Sequence, residues 1–392
     1  MIYNPIFKTI LTNPNTNNQN QMSMKKIILM AAVLTVSVVA SARNWRINYD
    51  DNSGADFKTL KAACESTDVK KGDVLYIEPG FHYGSEAENT ISKVGLKIVG
   101  PGWGFKTNAG EAIEIATTNF LNNISIKADS VHLVGVHIEG KDIVFAKGTS
   151  ASNPHKGVTI ERCKCSKIYA SDRDLSNSII RNNFITYELD LGYSISYGCR
   201  VNQSIIEGNI IIGFARLGYK SLGSLFDHNT IVSGSGNENL ISSGNGGIQI
   251  TNNIFIHKAN SVNVFYDYNA TVVNNNIFSI TSEQYAADAA SSSPTYSKYP
   301  SNQCVGATVE NTFVNQVSGD YFDEAMRYTV LEGSVAKTAA SNGGECGAFG
   351  GAHPYVLNGR PTGIPYLYDV DVPEQPTNNQ LTITFKVAGQ NE

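Results

Sequence analysis

Very little in this chain would hold a phosphate backbone. Only 17% of its 392 residues are charged, Asp and Glu (35) outnumber Lys and Arg (30), and there is no basic run. An acidic chain of that kind gains nothing from displacing counterions, which argues against a nucleic-acid partner. Metal-type spacings of Cys and His are also missing. The seven histidines, His82, His132, His137, His155, His228, His257 and His353, are scattered. Long apolar runs are lacking as well, with one exception, Ile27 to Ala40, and it is shorter than the ~20 residues a membrane span needs.

That run follows Met24-Lys25-Lys26 and ends Ala40-Ser41-Ala42. A short basic start, an apolar centre and a small-residue cleavage site make a secretory signal. Residues 1 to 23, Asn-rich and without periodicity, read as an upstream mis-start. No Cys stands at the cleavage point, so a lipid-anchored start is not indicated. Removing residues 1 to 42 takes away three Lys and no acid, leaving 27 basic residues against 35 acidic, a net charge of −8. The mature chain then starts near Arg43, secreted, periplasmic or at the cell surface, with no membrane span. Its six cysteines, Cys64, Cys163, Cys165, Cys199, Cys304 and Cys346, are an even number in an oxidising compartment and allow fifteen pairings. Cys163 and Cys165 alternate along an expected strand and read as apolar fillers; Cys304 with Cys346 is the first pair to test.

What the chain has in quantity is repetition. One phrase recurs as Val158-Thr-Ile-Glu-Arg-Cys163, Ser178-Ile-Ile-Arg-Asn-Asn183, Ser204-Ile-Ile-Glu-Gly-Asn209, Ser224-Leu-Phe-Asp-His-Asn229, Ile248-Gln-Ile-Thr-Asn-Asn253 and Thr271-Val-Val-Asn-Asn-Asn276. From Asn183 on, an apolar or β-branched pair follows each. A period in the low twenties marks a stacked architecture. Each repeat reads as a short strand, a polar bend and a second strand, since Ile, Val, Phe and Thr suit a pleated, half-buried backbone. Asn at the bend tolerates left-handed angles. Stacked rungs lie about 4.8 Å apart, so successive amides can hydrogen-bond in a row. Leucine-rich repeats share the Asn but require Leu dominance and often a helical return. The returns here, such as Gly218-Tyr-Lys-Ser-Leu-Gly223, have no helical period. The expected fold is an all-β parallel β-helix.

Ahead of the repeats, Phe57, Leu60 and Cys64 fall on one helical face, which predicts a helix covering the open end of the stack. Lys71-Gly-Asp-Val-Leu-Tyr-Ile-Glu-Pro-Gly80-Phe-His-Tyr83 reads as turn, strand, turn, and Val94 to Gly100 as the next strand. Two further strands are expected at Ile124 to Lys127 and Val131 to Val136. Ile280 to Asn302 predicts a long loop, and Ala307 to Phe313 a last coil. Pro365 to Val372 and Leu381 to Val387 predict two strands of a C-terminal β tail or cap over 346 to 392, with the β-helix and its N-terminal cap over 43 to 345.

The helix, the Gly72-Asp-Val-Leu-Tyr-Ile-Glu-Pro-Gly80 phrase and the Asn-punctuated coils resemble the secreted right-handed parallel β-helix, or pectate-lyase-like, superfamily over about residues 50 to 315. The glycine-rich Cys346-Gly-Ala-Phe-Gly-Gly351 resembles the tail of Bacteroidetes-type members. The resemblance implies a right-handed coil and a polysaccharide partner. It names no single activity, because the superfamily includes lyases, glycoside hydrolases, esterases, adhesins and non-catalytic surface proteins.

Counting from the last residue of each phrase places Asp172 and Asp174 at +9 and +11, Asp190 and Tyr193 at +7 and +10, Arg216, Tyr219 and Lys220 at +7, +10 and +11, and Glu238 at +9. Equal offsets in neighbouring coils are spatial neighbours. This column predicts a polysaccharide lyase acting on uronate glycans by β-elimination. Lys220 or Arg216 would be the base and Tyr219 the proton donor or stacking ring. Tyr193, Asp190 and Glu238 would bind substrate, and Asp172 and Asp174 would hold Ca²⁺ against the uronate. Lys220-Ser221 followed by Asp227-His-Asn-Thr230 resembles a segment of the alginate- and chondroitin-lyase group, without that group's acidic phrase one coil earlier. A glycoside hydrolase is the runner-up enzyme, because Asp172 and Asp174 have a suitable separation. The other class is a non-catalytic glycan-binding or cell-surface scaffold, its charges a solvated face. The chain reads as a monomer.

Overall fold

The computed structural model describes residues 42–103, 105–108, 111–114, 118–146, 155–170, 174–192, 200–218, 221–233, 240–243, 247–257, 265–267, 272–292, 296–297, 299–316, 321–361, 366–371 and 384–388. Arg43–Glu392 form one unit by contact, separate from Met1–Ala42. The fold is a parallel β-solenoid, and its coil is consistent with the right hand that parallel crossovers take almost without exception.

The recurring phrase builds a ten-stranded, wholly parallel sheet. Its strands are Asn44–Ile47, Val74–Ile77, Lys97–Val99, His132–Val134, Thr159–Glu161, Ile179–Arg181, Ile205–Glu207, Leu222–Asp227, Gly247–Thr251 and Val273–Asn274. Ile160, Ile180, Ile206, Phe226, Ile250 and Val273 stand in register and point into the tube, all essentially inaccessible. The apolar pairs begin the strands of a second, sixteen-stranded sheet, and a short third sheet of His155–Lys156, Leu175–Ser176 and Val201–Asn202 closes the coil. One repeat therefore buries nothing alone; stacking makes the core.

Two roles at the first bend fall to consecutive residues. Arg162, Asn182, Gly208, His228, Asn252 and Asn275 each carry φ between 49° and 63°. The residue after each, from Asn183 onward, sends its amide inward. The Oδ1 of Asn209 accepts both the backbone N–H (3.0 Å) and the side-chain N–H (2.9 Å) of Asn183. Asn229 does the same for Asn209, Asn253 for Asn229, Asn276 for Asn253 and Asn302 for Asn276. The amides line up as the repeat predicted. A second ladder went unread: Ser178 N–H donates to Ser204 Oγ and Ser204 N–H to Ser224 Oγ, 3.1 Å each.

The ends differ from expectation. The N-terminal helix is only Leu60–Glu65, capped by Thr59, and buries Leu60, Ala63 and Cys64. Phe57 lies outside it, bridged to Ile47 and packed on Trp45. The first rung is Asn44–Ile47, held by Asp73, whose carboxylate accepts from Arg43 N–H and Trp45 Nε1–H, both 2.8 Å. The expected loop after Ile280 contains a helix, Ser282–Ala289, with a Thr281/Gln284 capping box. It returns to the stack, bringing Tyr296 against Phe278 and Asn302 onto the ladder. Ala307 to Phe313 is not a coil but a capped turn of helix, Val309–Thr312. Cys304 and Cys346 are both free, so the suggested pair is not a disulfide, while Cys163 and Cys165 are buried fillers as expected. The two tail strands, Tyr366–Asp371 and Thr384–Ala388, pair with each other as an antiparallel hairpin.

Most consequential is the course of the chain after Cys304. It runs back along the outside of the stack. In each apolar pair one residue points in (Ile185, Ile211, Ile231, Phe255, Phe278) and the other out (Phe184, Ile210, Thr230, Ile254, Ile277). The outward set is buried too. Ile254 and Ile277 pack with Val309, Phe313, Val330 and Cys346, and Phe184 and Ile210 with Ala325, Ala348 and Tyr355. Where the apolar pairs lie, both faces of the second sheet are thus covered, which is why these stretches read as unbroken apolar pairs.

Candidate wall site

The second sheet continues past its apolar pairs into a polar edge. Phe184–Asp190 pairs first with Ile210–Ile211 and then with Phe214–Arg216. Tyr169, Asp190, Arg216 and Ser242 are register partners in four successive rungs. Leu189 and Ala215 beside them point inward and are inaccessible, so Asp190 and Arg216 project from the outer wall. A bulge between Cys165 and Lys167 places one extra residue in the 184–190 strand. Such an insertion re-aims side chains, and here Tyr187 stands out, 51% exposed.

Arg216 holds this edge together. Its Nη1 lies 2.8 Å from Glu188 Oε1 and 3.2 Å from Asp190 Oδ2. Lys167 Nζ reaches the other oxygen of Glu188 at 3.1 Å. Asp190 Oδ1 also accepts the Gly192 N–H at 2.9 Å. Burial pushes the Glu188 carboxyl above the usual carboxylate range, although Lys167 and Arg216 draw it the other way. Burial is opposed at Lys167 too, where the hydrogen bond to Glu188 and its charge prevail and raise the ammonium. Both cations also lie over rings: Lys167 Nζ is 4.7 Å from the Tyr187 centroid and the Arg216 guanidinium 4.5 Å from that of Phe214. The two rings meet edge to face at 6.1 Å.

Of the residues expected from equal offsets, Asp190 and Arg216 are therefore brought together. Asp174 serves elsewhere: it precedes Leu175–Ser176 of the third sheet, and its Oδ1 accepts the Arg200 backbone N–H at 2.7 Å. Asp172, Tyr193, Tyr219, Lys220 and Glu238 lie outside the described residues. Among the described residues no group of three or more His, Cys, Asp or Glu could hold a metal ion. The backbone donor takes only the Oδ1 of Asp174, while its expected partner in a Ca²⁺ site, Asp172, lies outside the described residues, so a single carboxylate is what the described residues offer there. Lys167, Tyr187, Glu188 and Phe214 were missed. Their signal was the i, i+2 alternation of Glu188 with Asp190 and of Phe214 with Arg216.

A second row was legible and went unread. The fourth position of the phrase reads Glu161, Arg181, Glu207, Asp227, and these stand in register on the outer face of the ten-stranded sheet. Arg181 Nε bonds Glu161 at 2.8 Å, and His132 Nε2 lies 3.1 Å from the other Glu161 oxygen. Against the burial that opposes it, these two partners pull the Glu161 carboxyl down to about 2. Asp227 is also lowered: burial resists, while His228 Nδ1 (2.6 Å), Thr251 Oγ1 (2.6 Å) and Asn252 Nδ2 (2.8 Å) surround its oxygens.

No protein-family profile, curated protein or solved structure matches this chain. The described residues contain no helix long and apolar enough to cross a membrane.

Proposed function

We propose that this is a secreted, polysaccharide-interacting β-helix protein that binds uronate-containing glycans along the edge formed by Lys167, Tyr187, Glu188, Asp190, Phe214 and Arg216. One observation carries the reading: an exposed tyrosine ring at the bulge stands beside a phenylalanine and two cations that share one outward strip in strand register. Rings of this kind take the apolar C–H face of a sugar. The ammonium and guanidinium beside them, charge-balanced by Glu188 and Asp190, are donors to which a uronate carboxylate can bond in exchange for one of those acids. The pectate-lyase-like affiliation and the Bacteroidetes-type tail belong to this proposal, as does secretion.

Binding without catalysis is the form favoured by the described residues. Arg216 is clamped between two carboxylates, and a guanidinium so placed keeps its proton, so it orients a uronate rather than acting as a base. The lyase reading keeps Arg216 in that orienting role and assigns base and proton donor to Lys220 and Tyr219, four and three residues further along the chain. The test is direct. Affinity electrophoresis in gels containing alginate, polygalacturonate or chondroitin sulfate should retard the protein, and Tyr187→Ala should weaken the retardation severalfold. Incubation with the same polymers, read by ultraviolet absorbance of unsaturated products, separates a lyase from a binder. Mobility unaffected by all three polymers would falsify the proposal.

A further inference from the structure

A second ring cluster stands on the same sheet, nearer the N-terminal end of the stack. Phe81 lies in the strand Gly80–His82 and Tyr83 immediately follows it. Both are open to solvent, 49% and 56% exposed, although neither is needed to fill the tube, which at this rung is filled by Ile77 and His82, with Phe120 of the next rung stacked on His82. Tyr83 meets Phe81 at 6.1 Å between centroids and Tyr49 edge to face at 5.9 Å. Over the Tyr49 ring sits Lys58, its Nζ 4.9 Å from the centroid. The parts repeat those of the wall site: an exposed tyrosine, an aromatic neighbour and a lysine ammonium over a ring.

The two clusters are related by the stack. From Gly80–His82 the second sheet passes through Thr118–Phe120, His137–Ile138 and Lys164–Tyr169 to Phe184–Asp190. Four steps of rung spacing put them about 19 Å apart along the axis. The register Phe81, Asn119, His137, Lys164, Phe184 sets the wall site at Tyr187 three residues further along the strand, about 10 Å to the side, together still the reach of a few sugar residues. Lys58 pairs with both carboxylate oxygens of Asp51, at 2.9 and 3.0 Å, and that carboxylate is 78% exposed. A surface ion pair of this kind contributes little, so a ligand carboxylate can replace Asp51 at small cost.

We propose that Tyr49, Phe81, Tyr83 and Lys58 form a second sugar subsite for the same chain of acidic sugars, Phe81 and Tyr83 taking ring faces and Lys58 a uronate carboxylate. This rests on the glycan-binding reading of the wall site and extends it. Two subsites on one rigid wall turn the second contact into an intramolecular event, so affinity rises once a ligand is long enough to span both.

The experiment is isothermal titration of the full chain with alginate or polygalacturonate oligomers of defined length, from trimer to decamer. Wild-type affinity should rise at least tenfold between ligands too short to reach both clusters and those that span them. The double variant Phe81→Ala/Tyr83→Ala should lose that rise and keep trimer affinity, while Tyr83→Phe, which retains the ring, should keep the rise. Lys58→Gln should weaken the long oligomers and leave neutral cello-oligosaccharides unaffected. If trimers bind but the double variant binds decamers as tightly as wild type, the second subsite is refuted and the wall site stands. If no length of either oligomer binds wild type, both fall together.

Discussion

At the scale of single residues, the solenoid depends on buried amides that satisfy backbone donors of the coil before. Asn229 accepts two N–H groups from Asn209, and its own amide serves Ile206, Asp227 and Asn253. Asn229→Ala leaves those groups buried and unpaired, which should cost roughly 2–4 kcal/mol. The denaturant midpoint measures it, and a midpoint equal to that of the parent would show the amides to be idle. Gly359 is a second such residue. Its φ is 56°, and a Cβ there would lie 1.9 Å from the Trp103 ring, so Gly359→Ala should lower the melting temperature markedly. Charge acts in one direction at Glu161. Its folded value of about 2 lies below the ordinary 4.5, so its stabilising contribution is present above 4.5 and disappears as pH falls towards 2. That contribution is on the order of 3 kcal/mol. Glu161→Gln should flatten the acid limb of a melting-temperature profile between pH 4.5 and 2 without steepening it at neutral pH.

At the scale of elements, the strands were legible because their inward residues repeat every coil and Asn marks each bend. The amide ladder and the buried roles of Cys163 and Cys165 followed from that pattern. Helix Ser282–Ala289 was not seen, because none of its residues is buried and periodicity is a signal only for faces that pack. Its Thr281-Ser-Glu-Gln284 capping box was the surviving clue. The wall site was half legible. Offsets aligned Asp190 with Arg216, since no bulge separates those coils, but slipped by one against Tyr169 across the bulge at Cys165. Both-faces burial of the second sheet was written in pairs such as Ile254-Phe255, yet nothing local tells which distant segment covers them. Truncation after Cys304 should therefore uncover Phe184, Ile210, Ile254 and Ile277 together. The expected outcome is a chain that binds a hydrophobic dye and aggregates; a soluble, cooperatively melting product would contradict it.

At the scale of the whole molecule, a stacked repeat is ordinarily a sum of neighbour contacts, free to fray from either end. This one has a return segment tying distant rungs. Asn275 donates to Ala339 O, Gly347 N–H to Asn252 O, Asn182 to Pro354 O, and Arg162 Nη1 to Arg360 O at 2.8 Å, the last across 198 positions. Trp103 N–H then donates to Asn358 O, so the return reaches the early coils. A ladder with a cable drawn along its side cannot lose its bottom steps one at a time; the cable must come away first. Pulled from its C-terminus, the protein should give way in one large event that frees the cable, followed by a train of small ones as the coils unwind.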